Sequence, residues 1–380
     1  MKGLIVVLLF IVINSSGCDE KQEVIRSFCY WKTSAYFDKE EDSICKTLNV
    51  EHMYVRFFDV DWNPYTKEPL PVATIRHFDF NESNPVITPS VFITNDVVLE
   101  SSREQLDTLA KRIQKRIKEI GLSYIDRKAG VNADRIVYAD YDKQKGDFRK
   151  RLNSDSIKAI ELGKLNPDFS EILIDCDWTE KSKENYFYLL EQVKKELKNC
   201  QLSATIRLWQ YKYSEKAGVP PVDRGLLMCY NLSSPNDYKT KNSIGTSDEL
   251  EKYITHSDYK LDLDIALPLY SWSVVFRGNQ FKGIISDYEE FIKDGERFKK
   301  IAPNKYILQD DVLVGQTYLR NGDEIRIEKI SDEEINKMIS IIKNRVPFDN
   351  NTKVTFFSFD KKYIHDYGIK NISGYYARFQ

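Results

Sequence analysis

The chain has 380 residues, with 56 Lys and Arg against 58 Asp and Glu, for a formal charge of −2. That balance leaves no basic footprint and argues against a nucleic-acid partner. Aromatics are abundant, with 23 Tyr, 20 Phe and 5 Trp; they serve a core and also suit surfaces that stack on the flat apolar faces of sugars.

In chain order, Met1–Lys2 supply one charge and Gly3 to Ile13 form an apolar run of 11 residues, followed by Asn14-Ser-Ser-Gly17 and Cys18. A charged start, a short apolar stretch and small residues before a cut are the plan of a secretory signal; a transmembrane helix needs about 20 residues. The small residues before Cys18 resemble the bacterial lipobox. The resemblance implies a signal peptide over 1–17, a lipid on Cys18 and a polar tether over 18–25. It places the protein at the bacterial cell envelope, with the membrane as a partner through the lipid; each buried lipid CH₂ contributes about 0.8 kcal/mol.

Residues 26–380 read as one large domain. Short runs rich in β-branched and aromatic residues predict eight strands: Ser27–Trp31, Met53–Phe58, Val91–Ile93, Glu171–Cys176, Ser203–Trp209, Leu226–Tyr230, Leu263–Leu269 and Val354–Phe357. Helical periods fall between some of them. Leu106, Leu109, Ile113, Ile117 and Ile120 recur every three or four residues over Ser102–Ile120, and Lys183–Leu197 repeats the pattern. Ser331 and Glu334 have the spacing of a capping box. The segment from Tyr124 to Asp168 reads as charged and irregular, and 281–330 as a small inserted α+β segment. Buried strands alternating with helices predict an α/β fold, a (β/α)₈ barrel of the TIM type, whose chemistry sits at the C-terminal strand ends.

Several strands end in polar or aromatic residues. Asp175 and Asp177 alternate with Ile174 and Cys176 in Ile172-Leu-Ile-Asp-Cys-Asp-Trp-Thr-Glu180, so the two carboxylates are expected on one face at the mouth. Two such neighbours raise the pKa of one, which suits acid–base work. Asp59, Asp61 and Trp62 end an earlier strand in the same Asp-x-Asp-Trp pattern as Asp177-Trp178. Arg207 is expected to neutralise Asp175, with Trp209 on the same strand face. Tyr230, Asn231, Tyr270 and Trp272 complete the expected lip. The paired carboxylate ends are also a donor set for a hard cation such as Ca²⁺, the lesser reading; no metal is assigned. His52, His77, His256 and His365 are scattered without zinc spacing, and there is no nucleophile elbow or phosphate-cradling glycine loop. No cofactor is expected. Among Cys29, Cys45, Cys176, Cys200 and Cys229, Cys29–Cys45 is the best-placed local pair in a compartment that permits disulfides, but the favoured reading is that several of these thiols are buried as small apolar residues.

The 172–180 segment resembles the strand-four signature of family 18 glycoside hydrolases, the chitinase-like barrels, Asp-x-x-Asp-x-Asp-x-Glu, and Met228-Cys-Tyr-Asn231 resembles their strand-six motif. The resemblance implies a glycan or peptidoglycan-type saccharide as partner and Asp175, Asp177 and a neighbouring acid as catalytic groups. Ile172 stands where the family has the first Asp, and Thr179 where it has the general acid. Glu180 is one residue on, and Asp59 and Asp61 are the other substitutes. The reading is therefore a degenerate barrel that binds or hydrolyses a glycan, alternatively a non-catalytic saccharide-binding or envelope interaction protein.

Overall fold

The computed structural model describes residues 23–80, 83–143, 154–165, 168–197, 199–255, 258–286 and 293–380. The expected signal peptide and Cys18 lie outside the described residues.

Eight parallel strands form the barrel: β1 (Ile25–Tyr30), β2 (His52–Asn63), β3 (Val86–Ile93), β4 (Glu171–Asp175), β5 (Gln201–Arg207), β6 (Arg224–Met228), β7 (Leu263–Pro268) and β8 (Lys353–Phe357). Each pairs with the next, and β8 pairs back onto β1, so the sheet closes. All eight expected strands are present. Their β-branched, near-continuously apolar runs suit strands covered on both faces. Alternation then divides each strand. In β4, Ile172 and Ile174 pack outward, while Glu171 and Asp175 hydrogen-bond to groups inside the barrel.

Helices cover the outside, among them Lys39–Thr47 after β1, Lys183–Glu196 after β4 and Lys361–Tyr367 after β8. After β2 the chain instead folds back as an antiparallel strand, Glu68–Val72. Two segments depart from expectation. The helix opening at Arg103 does not stop near Ile120 but runs to Lys143, and Ser154–Lys164 forms a second helix, so the stretch read as irregular is largely helical. The insertion between β7 and β8 begins at Ser271 rather than 281. Its five-stranded antiparallel sheet spans Ser271–Arg277 to Glu324–Lys329 around a separate small core of Val275, Phe298, Leu308 and Ile325.

Ser331 caps the helix Asp332–Arg345, its hydroxyl accepting from the Glu334 N–H at 3.2 Å. The Glu334 carboxylate is not the second half of a box; it reaches across to the Ser247 N–H. No disulfide joins Cys29 to Cys45. Both are buried free thiols, as are Cys176 and Cys229, and Cys200 is free and half-buried. Cys29 points into the barrel toward the Thr355 hydroxyl, 3.8 Å away. No helix among the described residues is long and apolar enough to cross a membrane.

Candidate functional site

The site lies at the C-terminal ends of the barrel strands, and its layout follows from register. A bulge in β2 inserts one residue: Arg56 pairs with Ser90 but Phe58 with Val91. The extra residue inverts the alternation beyond it. Asp59 is thereby turned inward with Arg56 and falls in the row Asp59–Phe92–Asp175 across β2, β3 and β4. Two interstrand steps of about 4.8 Å separate the backbones of the two aspartates.

Asp175 is buried, 7% exposed, as is Asp59. The Thr205 hydroxyl of β5 donates to it at 2.7 Å. Burial pushes its pKa up to about 6, the nearby Asp177 and Asp59 charges add to the rise, and the Thr205 bond and the Arg207 charge oppose it. Asp177 lies two residues past the strand, half-exposed, gripped by both sides of the Arg207 guanidinium, with Nη2 to Oδ2 at 2.5 Å. Arg207 thus pairs with Asp177 rather than with Asp175 as expected. Asp59 is held the same way by Arg56, Nε to Oδ1 at 2.6 Å. Planar bidentate pairs of this kind are among the stronger charge-assisted bonds, and they fix both partners.

Aromatic rings surround these carboxylates. Tyr230 stacks on Phe357 at 5.3 Å and meets Tyr270 edge-on at 6.2 Å. Tyr270 packs against Trp272 and Phe357, and its hydroxyl donates to the Asn231 side chain at 2.6 Å. Trp31 leans on Phe357 at 5.7 Å, and the Arg56 guanidinium lies 5.8 Å from the Trp31 ring centre. Tyr230 and Tyr270 are buried, whereas Trp31, Phe92, Trp272 and Phe357 are half-buried. Burial above all, with the nearby Asp175 charge adding to it, holds the Tyr230 phenol well above its usual range, so it stays neutral. Trp272 also ties the insertion to the mouth. Its Nε1–H donates to Glu328 at 2.7 Å, and Glu328 in turn bonds Arg326, whose guanidinium holds the Pro235 and Asp237 carbonyls of the loop after β6.

Of the residues predicted from sequence, Asp59, Asp175, Asp177, Arg207, Tyr230, Asn231, Tyr270 and Trp272 gather here. Three do not. Trp178 is fully buried; with β4 ending at Asp175, the chain turns outward, the indole stacks on Tyr186 at 5.0 Å and Nε1–H donates to the Ala217 carbonyl at 3.2 Å. Glu180 is exposed in the turn leading to Lys183–Glu196, and Thr179, at the position of the family's acid, is exposed in the same turn. Trp62 has the opposite parity to Asp59 and pairs with Pro69 on the hairpin outside the barrel. Asp61 is exposed and accepts from the Thr94 hydroxyl at 3.0 Å. Trp209 lies on a short helix, Leu208–Lys212, not on β5. Sequence reasoning missed Trp31, Phe92, Thr205 and Phe357. Trp31, Phe92 and Phe357 each stand at or next to the end of a predicted strand, the position that singled out Tyr230. Among the described residues no group of three or more His, Cys, Asp or Glu is placed to hold a metal ion.

No family model matches the chain, and no curated protein matches it. Among solved structures it is similar to the spore cortex-lytic enzyme SleL of Bacillus cereus, with 10% identity over 94% of this chain and 74% of that one, TM-score 0.45. The Bacillus megaterium QM B1551 SleL is similar at 11% identity, 93% and 75% coverage and TM-score 0.44. Chitinase ChiA74 from Bacillus thuringiensis is similar at 11% identity, 89% and 66% coverage and TM-score 0.41.

Proposed function

We propose that the barrel mouth binds a glycan, of peptidoglycan type, and that the chain is held at the bacterial cell envelope by a lipid on Cys18. The observation that carries the binding reading is the ring of half-buried aromatics, Trp31, Phe92, Trp272 and Phe357, around fixed Arg–Asp pairs. Rings of this kind stack on sugar faces, and the paired guanidinium and carboxylate groups present oriented donors and acceptors for hydroxyls. Two-carboxylate hydrolysis needs a proton donor and a second carboxylate with a free task. Here Asp59 and Asp177 are each engaged by an arginine. One observation favours hydrolysis as the second reading: the pKa of Asp175, raised to about 6, allows it to carry a proton near neutrality.

The test is a glycan array probed with the full chain, followed by incubation of each hit. Binding without new reducing ends supports the binding reading; new reducing ends establish hydrolysis; no hit on any saccharide sinks both. Trp31→Ala is expected to weaken binding of the best hit about tenfold, equivalent to about 1.4 kcal/mol, measured by calorimetry. The anchor has its own test. Cells fed a labelled fatty acid are expected to label the wild-type chain and not Cys18→Ser; equal labelling of both removes the lipid assignment.

A further inference from the structure

A groove runs on the outside of the barrel, along the helix Arg103–Lys143. Residues three or four apart on a helix share a face, and Leu109, Ile113, Arg116, Ile120, Ser123 and Arg127 form such a stripe. This stripe faces the segment that returns from β2. There Ile75 and Arg76 are fixed by backbone bonds, Ile75 N–H to the Phe57 carbonyl at 2.7 Å and Arg76 N–H to the Thr33 carbonyl at 3.0 Å.

Between helix and segment runs a groove of two arms that meet at Arg116. One arm, about 240 Å³, is mainly apolar, lined by Phe58, Val60, Pro71, Leu109 and Ile113, with Arg112, Lys115, Arg116 and Glu119 also on its wall. The other, about 170 Å³, carries Arg76, Arg116 and Arg127 with Ser123 and Tyr124. Glu119 is the one acidic residue lining either arm, and it pairs with Arg116 at 3.2 Å. The guanidinium groups of Arg76 and Arg127 have no partner among the described residues. Uncommitted guanidinium groups, Arg76 and Arg127 in one arm and Arg112 in the other, beside a concave, mainly apolar channel complement a ligand with an anionic head and an apolar tail. A guanidinium pairs with carboxylate or phosphate in a fixed fork.

We propose that this groove binds a single-chain anionic amphiphile, with its phosphate or carboxylate between Arg76 and Arg127 and its tail along Phe58, Val60 and Ile113. The site faces away from the mouth, because Phe58 and Val60 project outward from β2, and its occupancy does not depend on the saccharide reading.

Octyl phosphate, inorganic phosphate and octyl glucoside are titrated into the full chain below their micelle-forming concentrations, by calorimetry. Octyl phosphate is expected to bind at least tenfold more tightly than either of the others. The double variant Arg76→Gln/Arg127→Gln is expected to lose at least tenfold in octyl phosphate affinity, and Pro71→Asp, at an exposed position of the apolar arm, to weaken it as well. Melting temperatures confirm that each variant is folded. Three results overturn the proposal: octyl glucoside binding as tightly as octyl phosphate, inorganic phosphate binding as tightly as octyl phosphate, or a double variant that binds octyl phosphate like the wild type.

Discussion

Asp264→Ala is expected to lower the free energy of unfolding by about 3–5 kcal/mol, the cost of breaking a buried charge network by removing one partner. Asp264, on β7, is fully buried at the N-terminal end of the barrel. It accepts from Arg224 Nε at 2.9 Å, from the Lys353 backbone at 2.7 Å and Nζ at 3.1 Å, and from the Tyr54 hydroxyl at 2.8 Å. Lys353 also bridges to Glu171 at 2.9 Å. Ser203 and Thr88 donate to Glu171, and Thr88 meets His52, which meets Ser27. The barrel floor is therefore a closed polar lattice spanning all eight strands, in place of the branched aliphatic layer usual in such barrels. Removing the carboxylate leaves the buried Lys353 and the half-buried Arg224 with one acidic partner fewer each, and leaves the Tyr54 hydroxyl unpaired. Asp264→Asn keeps shape and acceptor but not charge and is expected to lose less. Urea unfolding measures both. A loss under about 1 kcal/mol for Asp264→Ala shows that water or relaxation replaces the carboxylate, and that the lattice does not hold the barrel closed.

That lattice was invisible in the sequence, whereas the barrel around it was not. Runs such as Glu171–Cys176 and Leu263–Leu269 announce themselves because a strand covered on both faces is apolar at nearly every position. Glu171, Arg224, Asp264 and Lys353 each stand at or next to the first residue of a strand, where a charge reads as the end of a run. Only closure brings them together. The mouth was half legible for a related reason. Counting alternate residues placed Asp175 correctly, but alternation fails wherever a strand bulges or ends. The bulge at Phe57 puts Asp59 with Arg56, against a strict period of two. The end of β4 at Asp175 sends Trp178 into the helical layer. The second half of the long helix was missed because its buried stripe past Tyr124 is small: Ile125, Ala129 and Ala133 are buried four residues apart. Two alanines carry little hydrophobic signal amid lysine and arginine. The insertion began earlier than expected because Ser271–Arg277 continues directly from the aromatic lip of β7, so Trp272 reads as a strand end although it lies on the first strand of a new sheet.

Asp175→Asn is expected to make the protein more stable above pH 6, by about 2–3 kcal/mol. The pKa of Asp175 rises from 3.8 to about 6 in the folded chain, and each pKa unit corresponds to 1.36 kcal/mol, about. The folded state then holds a proton between about pH 4 and 6 that the unfolded state has released. Stability falls as pH rises through that window, and the full penalty applies above it. Asparagine carries no charge to desolvate, and its carbonyl oxygen still accepts the Thr205 hydroxyl, so the variant should lack this fall. Unfolding curves at pH 4, 6 and 8 measure it; parallel pH dependences for wild type and variant refute the shift. A carboxylate buried among aromatic rings with its pKa raised to about 6 points to a function for the group. The same variant separates the two readings of the mouth. If Asp175 only fills the floor beneath a bound saccharide, Asp175→Asn binds within a fewfold of wild type. If it delivers a proton, turnover vanishes while binding stays, because the amide reproduces the carboxyl group's shape but not its acidity.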